Sequence, residues 1–391
     1  MRKDLSSRRN SLRTLAGIAT FGFLSKLLGF NESIAEGAEV AEETNLAKSA
    51  KDFKSKPTIY CTDLFHPHDD PDDHFDLATL FALPELEVKA ILLDQGEKQE
   101  QKPGRIPLEQ IFHLTGKRIP YAIGLAQKLK SPKDNGKDQP SKFQGAVELL
   151  LETLSDAAEP VTIVATGSVR DICAAFNRDP DLFRKKVERL YLNIGSAEPN
   201  GSEYNVELDP MAYIGLLRSG LPIYLCPCMP MDLRSDHSTF WRFRQSEVLD
   251  DLPLGLQNFF IYALQVVRPD EIDPIKALTM NLRPFRHLVW QMERNMWSTA
   301  SLIAASGRQI FRTDKSYVAS LKPLPEAKPV ELFSFVPALV EVNENGQTQK
   351  IVTNAENANV QLFTTSDPKG YNEAMVSVLK ALLSDFPVAN C

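Results

Sequence analysis

Thirteen residues carry most of the chemical potential of this chain. The stretch Thr62-Asp63-Leu64-Phe65-His66-Pro67-His68-Asp69-Asp70-Pro71-Asp72-Asp73-His74 holds five carboxylates and three of the six histidines. Carboxylates this crowded repel one another unless a cation or protons neutralise them. A hard divalent cation suits them, because it prefers carboxylate and carbonyl oxygens. The competing reading is a solvated acidic loop, the usual fate of a charge run.

Two further stretches combine small or polar residues in a way that suits a ligand. Val164-Ala165-Thr166-Gly167-Ser168-Val169-Arg170-Asp171 is a small-residue turn entering a helix, so its backbone can approach a ligand closely. Glu203-Tyr204-Asn205-Val206-Glu207-Leu208-Asp209-Pro210 places a carboxylate and an amide two residues apart, a pairing suited to hydroxyl groups. The five cysteines, Cys61, Cys173, Cys226, Cys228 and Cys391, form no paired framework. Cys226 and Cys228 are too close for a relaxed disulfide, and they read as buried thiols on a strand.

Each stretch follows an apolar run that reads as a strand. Strands are expected at 58–61, 88–93, 120–123, 160–165, 190–194 and 223–226, with a β-rich piece near 333–341. Helical patterns fall at 76–83, 107–115, 143–154, 169–177, 211–219 and 371–383. This alternation predicts an α/β fold, a mostly parallel open sheet with helices on both faces. The aromatic region 230–315 predicts a helical accessory region. The three stretches would then meet at the C-terminal edge of the sheet, where open α/β sheets bind ligands.

The N-terminus reads as an export signal. Ser7-Arg8-Arg9-Asn10-Ser11-Leu12-Arg13 is a twin-arginine pattern, an apolar run follows from Leu15 to Gly29, and Ala35, Ala38 and Ala41 offer cleavage sites. Lys26 interrupts that run, which is short for a stable membrane span. The expected organisation is a signal peptide over 1–41, a linker over 42–56 and one α/β domain over 57–391. The mature protein is expected outside the cytoplasm, periplasmic or extracellular. A formal net charge of −7 argues against nucleic-acid binding. A homo-oligomer stays open.

In order along the chain, these motifs resemble the inosine–uridine preferring nucleoside hydrolase superfamily. Asp72-Asp73 is similar to the end of its D-T-D-P-G-x-D-D motif, and Pro84-Glu85-Leu86-Glu87 to its turn into strand two. Ala165-Thr166-Gly167 is similar to its A-T-G turn, Glu203-Tyr204-Asn205 with Asp209-Pro210 to its E-F-N…D-P segment, and Ser219-Gly220-Leu221-Pro222-Ile223 to its S-G-L-P-I. The resemblance runs from about Pro57 to Cys226 and implies a nucleoside hydrolase-like fold. It also implies an enzyme that cleaves the N-glycosidic bond of a ribonucleoside or related ribosyl compound with a metal-bound water, as in purine or pyrimidine salvage. It further implies Ca2+ as cofactor, held by Asp63, Asp72, Asp73 and the carbonyl of Thr166. Asp63 would be the general base, and Glu203, Asn205 and Glu97 would bind the substrate.

The chain departs from that pattern in several places. Cys61 stands where the family has its first aspartate, and five extra residues separate Asp63 from Asp72, with Asp69 or Asp70 able to take over a ligand role. Glu97 aligns with a ribose-binding asparagine. The family's late H-D-P falls on Trp297-Ser298, or on Asp273-Pro274 in a shifted register. Two alternatives follow. One is a non-catalytic ribosyl- or nucleoside-binding homologue. The other is a zinc-dependent hydrolase, since His66-Pro67-His68-Asp69-Asp70 also resembles the H-P-D-D of sugar deacetylases and the H-x-H-x-D of metallo-β-lactamase-like enzymes, and imidazole with carboxylate suits Zn2+.

Overall fold

The computed structural model describes residues 54–264 and 272–389. The twin-arginine segment and Cys391 lie outside the described residues. The compact unit begins at Lys54, and its first strand begins at Lys56, inside the segment read as linker.

A nine-stranded sheet organises the chain. Its strands are β1 (Lys56–Thr62), β2 (Leu86–Leu93), β3 (Tyr121–Ile123), β4 (Val161–Ala165), β5 (Val187–Asn193), β6 (Ile223–Cys226), β7 (Ser334–Val342), β8 (Thr348–Thr353) and β9 (Val360–Thr364). The spatial order is β8-β7-β9-β6-β5-β4-β1-β2-β3. Every pair from β9 to β3 is parallel, and β7 runs antiparallel to both β8 and β9. The expected mostly parallel sheet is therefore present.

Parallel strands need cover on both faces, so they read as continuous apolar runs. Successive residues of β1, β4 and β5 feed two separate cores. Tyr60, Val164 and Tyr191 pack with Phe75, Phe259, Phe260 and Trp241 on one face. Ile59, Cys61, Ile163, Ala165, Leu190 and Leu192 pack with Leu150, Ile172 and Tyr213 on the other. The described part of the region 230–315 holds the expected helical segments. It contains the helices Leu254–Ala263 and Thr299–Ser306, but also a two-stranded ribbon of Trp241–Arg244 with Glu293–Met296 and a further strand at Gln309–Arg312. No helix among the described residues is long and apolar enough to cross a membrane.

Helix α1 (Asp72–Phe81) follows β1, and its burial is unusual. Every residue from Asp73 to Phe81 is buried. A helix buried all round is expected to be apolar all round. Here Asp73, His74 and Asp76 are buried with the rest.

Candidate active site

The C-terminal ends of the central strands open on a cavity of about 490 Å3. Asp63 follows β1, Thr166 follows β4, and Asn193 ends β5. The loop beyond β5 brings Glu203 and Asn205, α1 brings Asp72 and Asp73, and Trp297-Ser298 close the far wall. Of the substrate, base and ligand positions expected from sequence, Asp63, Asp72, Asp73, Thr166, Glu203 and Asn205 all line this cavity.

Glu97 does not. It is exposed on helix α2 (Gly96–Gln101). The reason lies in the turn. Gln95 adopts a left-handed conformation with φ 61° and begins the helix, which directs the Gln95 side chain inward and Glu97 outward. Gln95 Nε2 donates to Asp63 Oδ2 at 3.3 Å. The amide at this strand end is thus two residues earlier than expected.

Asp73 Oδ1 accepts hydrogen bonds from the hydroxyls of Thr62 at 2.6 Å and Thr166 at 3.1 Å. Burial raises the Asp73 carboxyl well above the usual range, and the charge of Asp63 adds to it. Asp63 is itself raised by burial and by Asp94 and Asp72, while Lys98 pulls it back. Asp72 is raised by burial, then by Asp73, Asp70 and Asp76, with Arg294 opposing.

The turn at Thr166 is strained where it meets this cluster. Val169 has φ 57°, an outlier for a β-branched residue. Asp94 pins the turn by accepting from Ser168 N at 2.7 Å. A Cβ on Gly167 would fall 2.9 Å from Asp94 Oδ2 and 3.3 Å from the amide of Asp63, so only glycine lets the two strand ends approach so closely. Behind it, Arg170 forms a buried ion pair with Asp209 at 2.9 Å and donates to the carbonyls of Leu125 and Leu208. That pair joins two of the three motifs.

Glu203 caps the short helix Tyr204–Leu208. Its carboxylate accepts from the amides of Gly195, Asn205 and Val206 at 2.8, 3.0 and 3.0 Å. Burial pushes it up to about 7 while these three bonds oppose the rise. Asn205 Nδ2 donates to the Asn193 carbonyl at 3.0 Å. Asn193 also lines the cavity and was not anticipated; its Nδ2 holds the Ala165 carbonyl at 3.0 Å.

The residues inserted between Asp63 and Asp72 are tied down at two points. Asp69 is paired with both Lys98 and Lys102, and Asp70 with Arg294 at 3.2 Å. Both carboxylates line the cavity but are already partnered. His66 and His68 do not line it. His66 stacks on Tyr262 with ring centroids 4.9 Å apart, and His74 packs against Phe259. Both nitrogens of His66 and of His74, and Nδ1 of His68, are buried without hydrogen-bond partners. Burial lowers His66 to about 4, so these rings are neutral packing groups behind the wall.

Asp273 caps a short helix through the amide of Lys276 and lies away from the cavity, whereas Trp297 and Ser298 line it. Trp297 Nε1 donates to the Cys228 carbonyl at 2.7 Å, leaving its ring on the cavity wall with Phe65, Tyr204, Met229 and Met231. His113 and His287 are exposed, and His237 holds the Phe363 carbonyl. Cys61, Cys173, Cys226 and Cys228 are free, buried thiols.

One carboxylate was missed. Asp76 is fully buried, and neither of its oxygens has a partner in hydrogen-bond geometry. Burial pushes it up to about 7, and the nearby Ser298 hydroxyl pulls it back. Among the described residues, no three His, Cys, Asp or Glu side chains converge on one point as they stand. The donor chemistry nevertheless fits a hard divalent cation: oxygen ligands face one cavity, and their mutual repulsion is what such an ion relieves.

Comparison with known proteins gives a consistent result. The profile of the family described as inosine-uridine preferring nucleoside hydrolase matches residues 67–373. The pyrimidine-specific ribonucleoside hydrolase RihA of Escherichia fergusonii is 31% identical over 175 residues, 39% of this chain and 56% of that protein. RihA of Salmonella paratyphi C is likewise 31% identical over 175 residues, again 39% of this chain and 56% of the relative. The match thus spans little more than half the length of these relatives. A plant nucleoside hydrolase, the PpNRh1 enzyme, superposes with a TM-score of 0.50 at 15% identity, over 84% of this chain and 99% of that one. At that identity the likeness shows the fold alone.

Proposed function

The chain belongs to the inosine-uridine preferring nucleoside hydrolase family, and on that premise we propose that it hydrolyses the N-glycosidic bond of a ribonucleoside or related ribosyl compound. The observation that carries this reading is the convergence of Asp63, Asp73, Thr166, Glu203 and Asn205, from separate strand ends and α1, on one cavity.

In this reading Asp63, Asp72, Asp73 and the backbone carbonyl of Thr166 would hold a divalent cation, Ca2+ in the first instance. When bound, that ion supplies Lewis-acid polarisation of water and of sugar hydroxyls. The remaining work falls to the chain. Asp63 takes a proton from the attacking water, whose oxygen bonds to the anomeric carbon. The carbon–nitrogen bond breaks through an oxocarbenium-like state, as in glycoside hydrolysis generally, and its electron pair leaves with the base. Glu203 and Asn205 read the ribose hydroxyls. The wall of Phe65, Tyr204, Met229, Met231 and Trp297 receives the leaving group.

The test is a panel of nucleosides and p-nitrophenyl riboside, with and without Ca2+. The aryl substrate matters because its leaving group departs without an acid. Turnover of both classes supports the hydrolase. Binding of ribose or nucleosides with no turnover supports the second reading, a non-catalytic binder. That reading is favoured by one observation: no histidine among the described residues lines the cavity. The twin-arginine pattern at Arg8-Arg9 supports the last part of the proposal, that the domain from about residue 57 onward works outside the cytoplasm.

A further inference from the structure

We propose that Asp76 supplies a further carboxylate of the cation site, reaching from α1 to the position that Ser298 faces across the cavity floor. This rests on the cation reading above. The position in the helix is favourable. Asp76 lies three residues after Asp73 and four after Asp72, so it neighbours both of them on the surface of α1. Its surroundings are those of the site. Ser298, which lines the cavity, is its polar neighbour. The helix Thr299–Ser306, which begins directly after Ser298, packs on α1.

The lack of partners is the second observation. A carboxylate with no exposure and no hydrogen bond is among the most costly groups to bury. The residues that flank Asp76, Phe75 and Leu77, are buried in the core. A buried carboxylate whose polar neighbour is a hydroxyl and not a base is one that a cation would satisfy. The opposite wall offers a hydroxyl at Ser298 rather than an acid, so Asp76 places the charge on the helix side of the same gap.

Calcium binding to the full-length protein, measured by calorimetry and by thermal midpoint, tests this without reference to turnover. Asp76→Asn keeps the shape and removes the charge. Its affinity for Ca2+ should fall about 10- to 100-fold. Asp76→Ser combined with Ser298→Asp moves the carboxylate across the gap and should restore binding to near the parent value. If Asp76→Asn does not fold, this exchange carries the test, and loss of Ca2+ binding in a folded exchange variant overturns the inference. Parent-like affinity in Asp76→Asn, with binding lost in Asp73→Asn, also overturns it while leaving the cation reading intact. A parent protein that binds no divalent cation removes both together.

Discussion

Gln95 and Asp63 are joined by a 3.3 Å hydrogen bond across the ends of β1 and β2. The bond exists because Gln95 accepts a left-handed backbone, which costs about 1 kcal/mol or more for a residue with a side chain. The strained turn aims a donor at the carboxylate assigned to the attacking water. It stabilises the ionised form of Asp63, which burial and two neighbouring carboxylates oppose.

Asp63→Asn should therefore separate chemistry from folding. Turnover is expected to drop by about 10²- to 10⁴-fold, the usual worth of a general base. The thermal midpoint without added metal should not fall, because the substitution removes a buried charge that Asp94 and Asp72 repel. Steady-state kinetics alongside a melting curve check both halves. Full activity in this variant would remove Asp63 from its role.

The buried pair of Arg170 and Asp209 should be structural. Arg170→Met leaves the buried Asp209 without its counter-charge, and the expected cost is about 3–5 kcal/mol by urea denaturation. Replacing both partners, Arg170→Met with Asp209→Leu, should cost less than the sum of the singles. Additive losses would mean that the two residues act independently.

Stability should fall as pH rises. Burial pushes Glu203 and Asp171 up to about 7 from ordinary values near 4.5 and 3.8. A raised carboxyl holds its proton in the folded chain, so its contribution is fully present below the unfolded value and is lost as pH climbs through about 7. In chelator, the midpoint should be higher near pH 5 than near pH 8. A midpoint that rises over the same interval contradicts the assignment.

Divalent cation should act on the same carboxylates. Ca2+ at a hundredfold excess over its dissociation constant should stabilise the folded state by about 2.7 kcal/mol. A response to Zn2+ alone, abolished by changing His66 or His68, would instead support the zinc reading.

Replacing Arg8 and Arg9 by lysine should leave the protein inside the cell. Cell fractionation reads the result, and unchanged export would show that another signal directs it.

The sheet was legible in the sequence where its strands are apolar on both faces. β1, β2, β4, β5 and β6 are such runs. β8, Thr-Gln-Lys-Ile-Val-Thr, lies at the edge and is mostly exposed, so it carries no hydrophobic signal. At the site, residues in recognisable motifs were found and those defined by backbone geometry were not. Glu97 and Gln95 differ by a single left-handed residue, which no spacing rule foresees. Asp76 looks like a solvent-facing helix position until α1 proves buried on every side. The available signal was its setting, a lone acid between Phe75 and Leu77.

β9 is the last strand synthesised, yet it lies inside the sheet, between β6 and β7. A ribosome must therefore release the chain through Thr364 before β6 gains its outer neighbour. A chain cut before Val360 would present the backbone of β6 as an unpaired edge, a template on which other chains can assemble. The late strand makes the quality of the fold depend on translation through Thr364, and a product cut before it should be recovered as aggregate rather than as a smaller soluble domain.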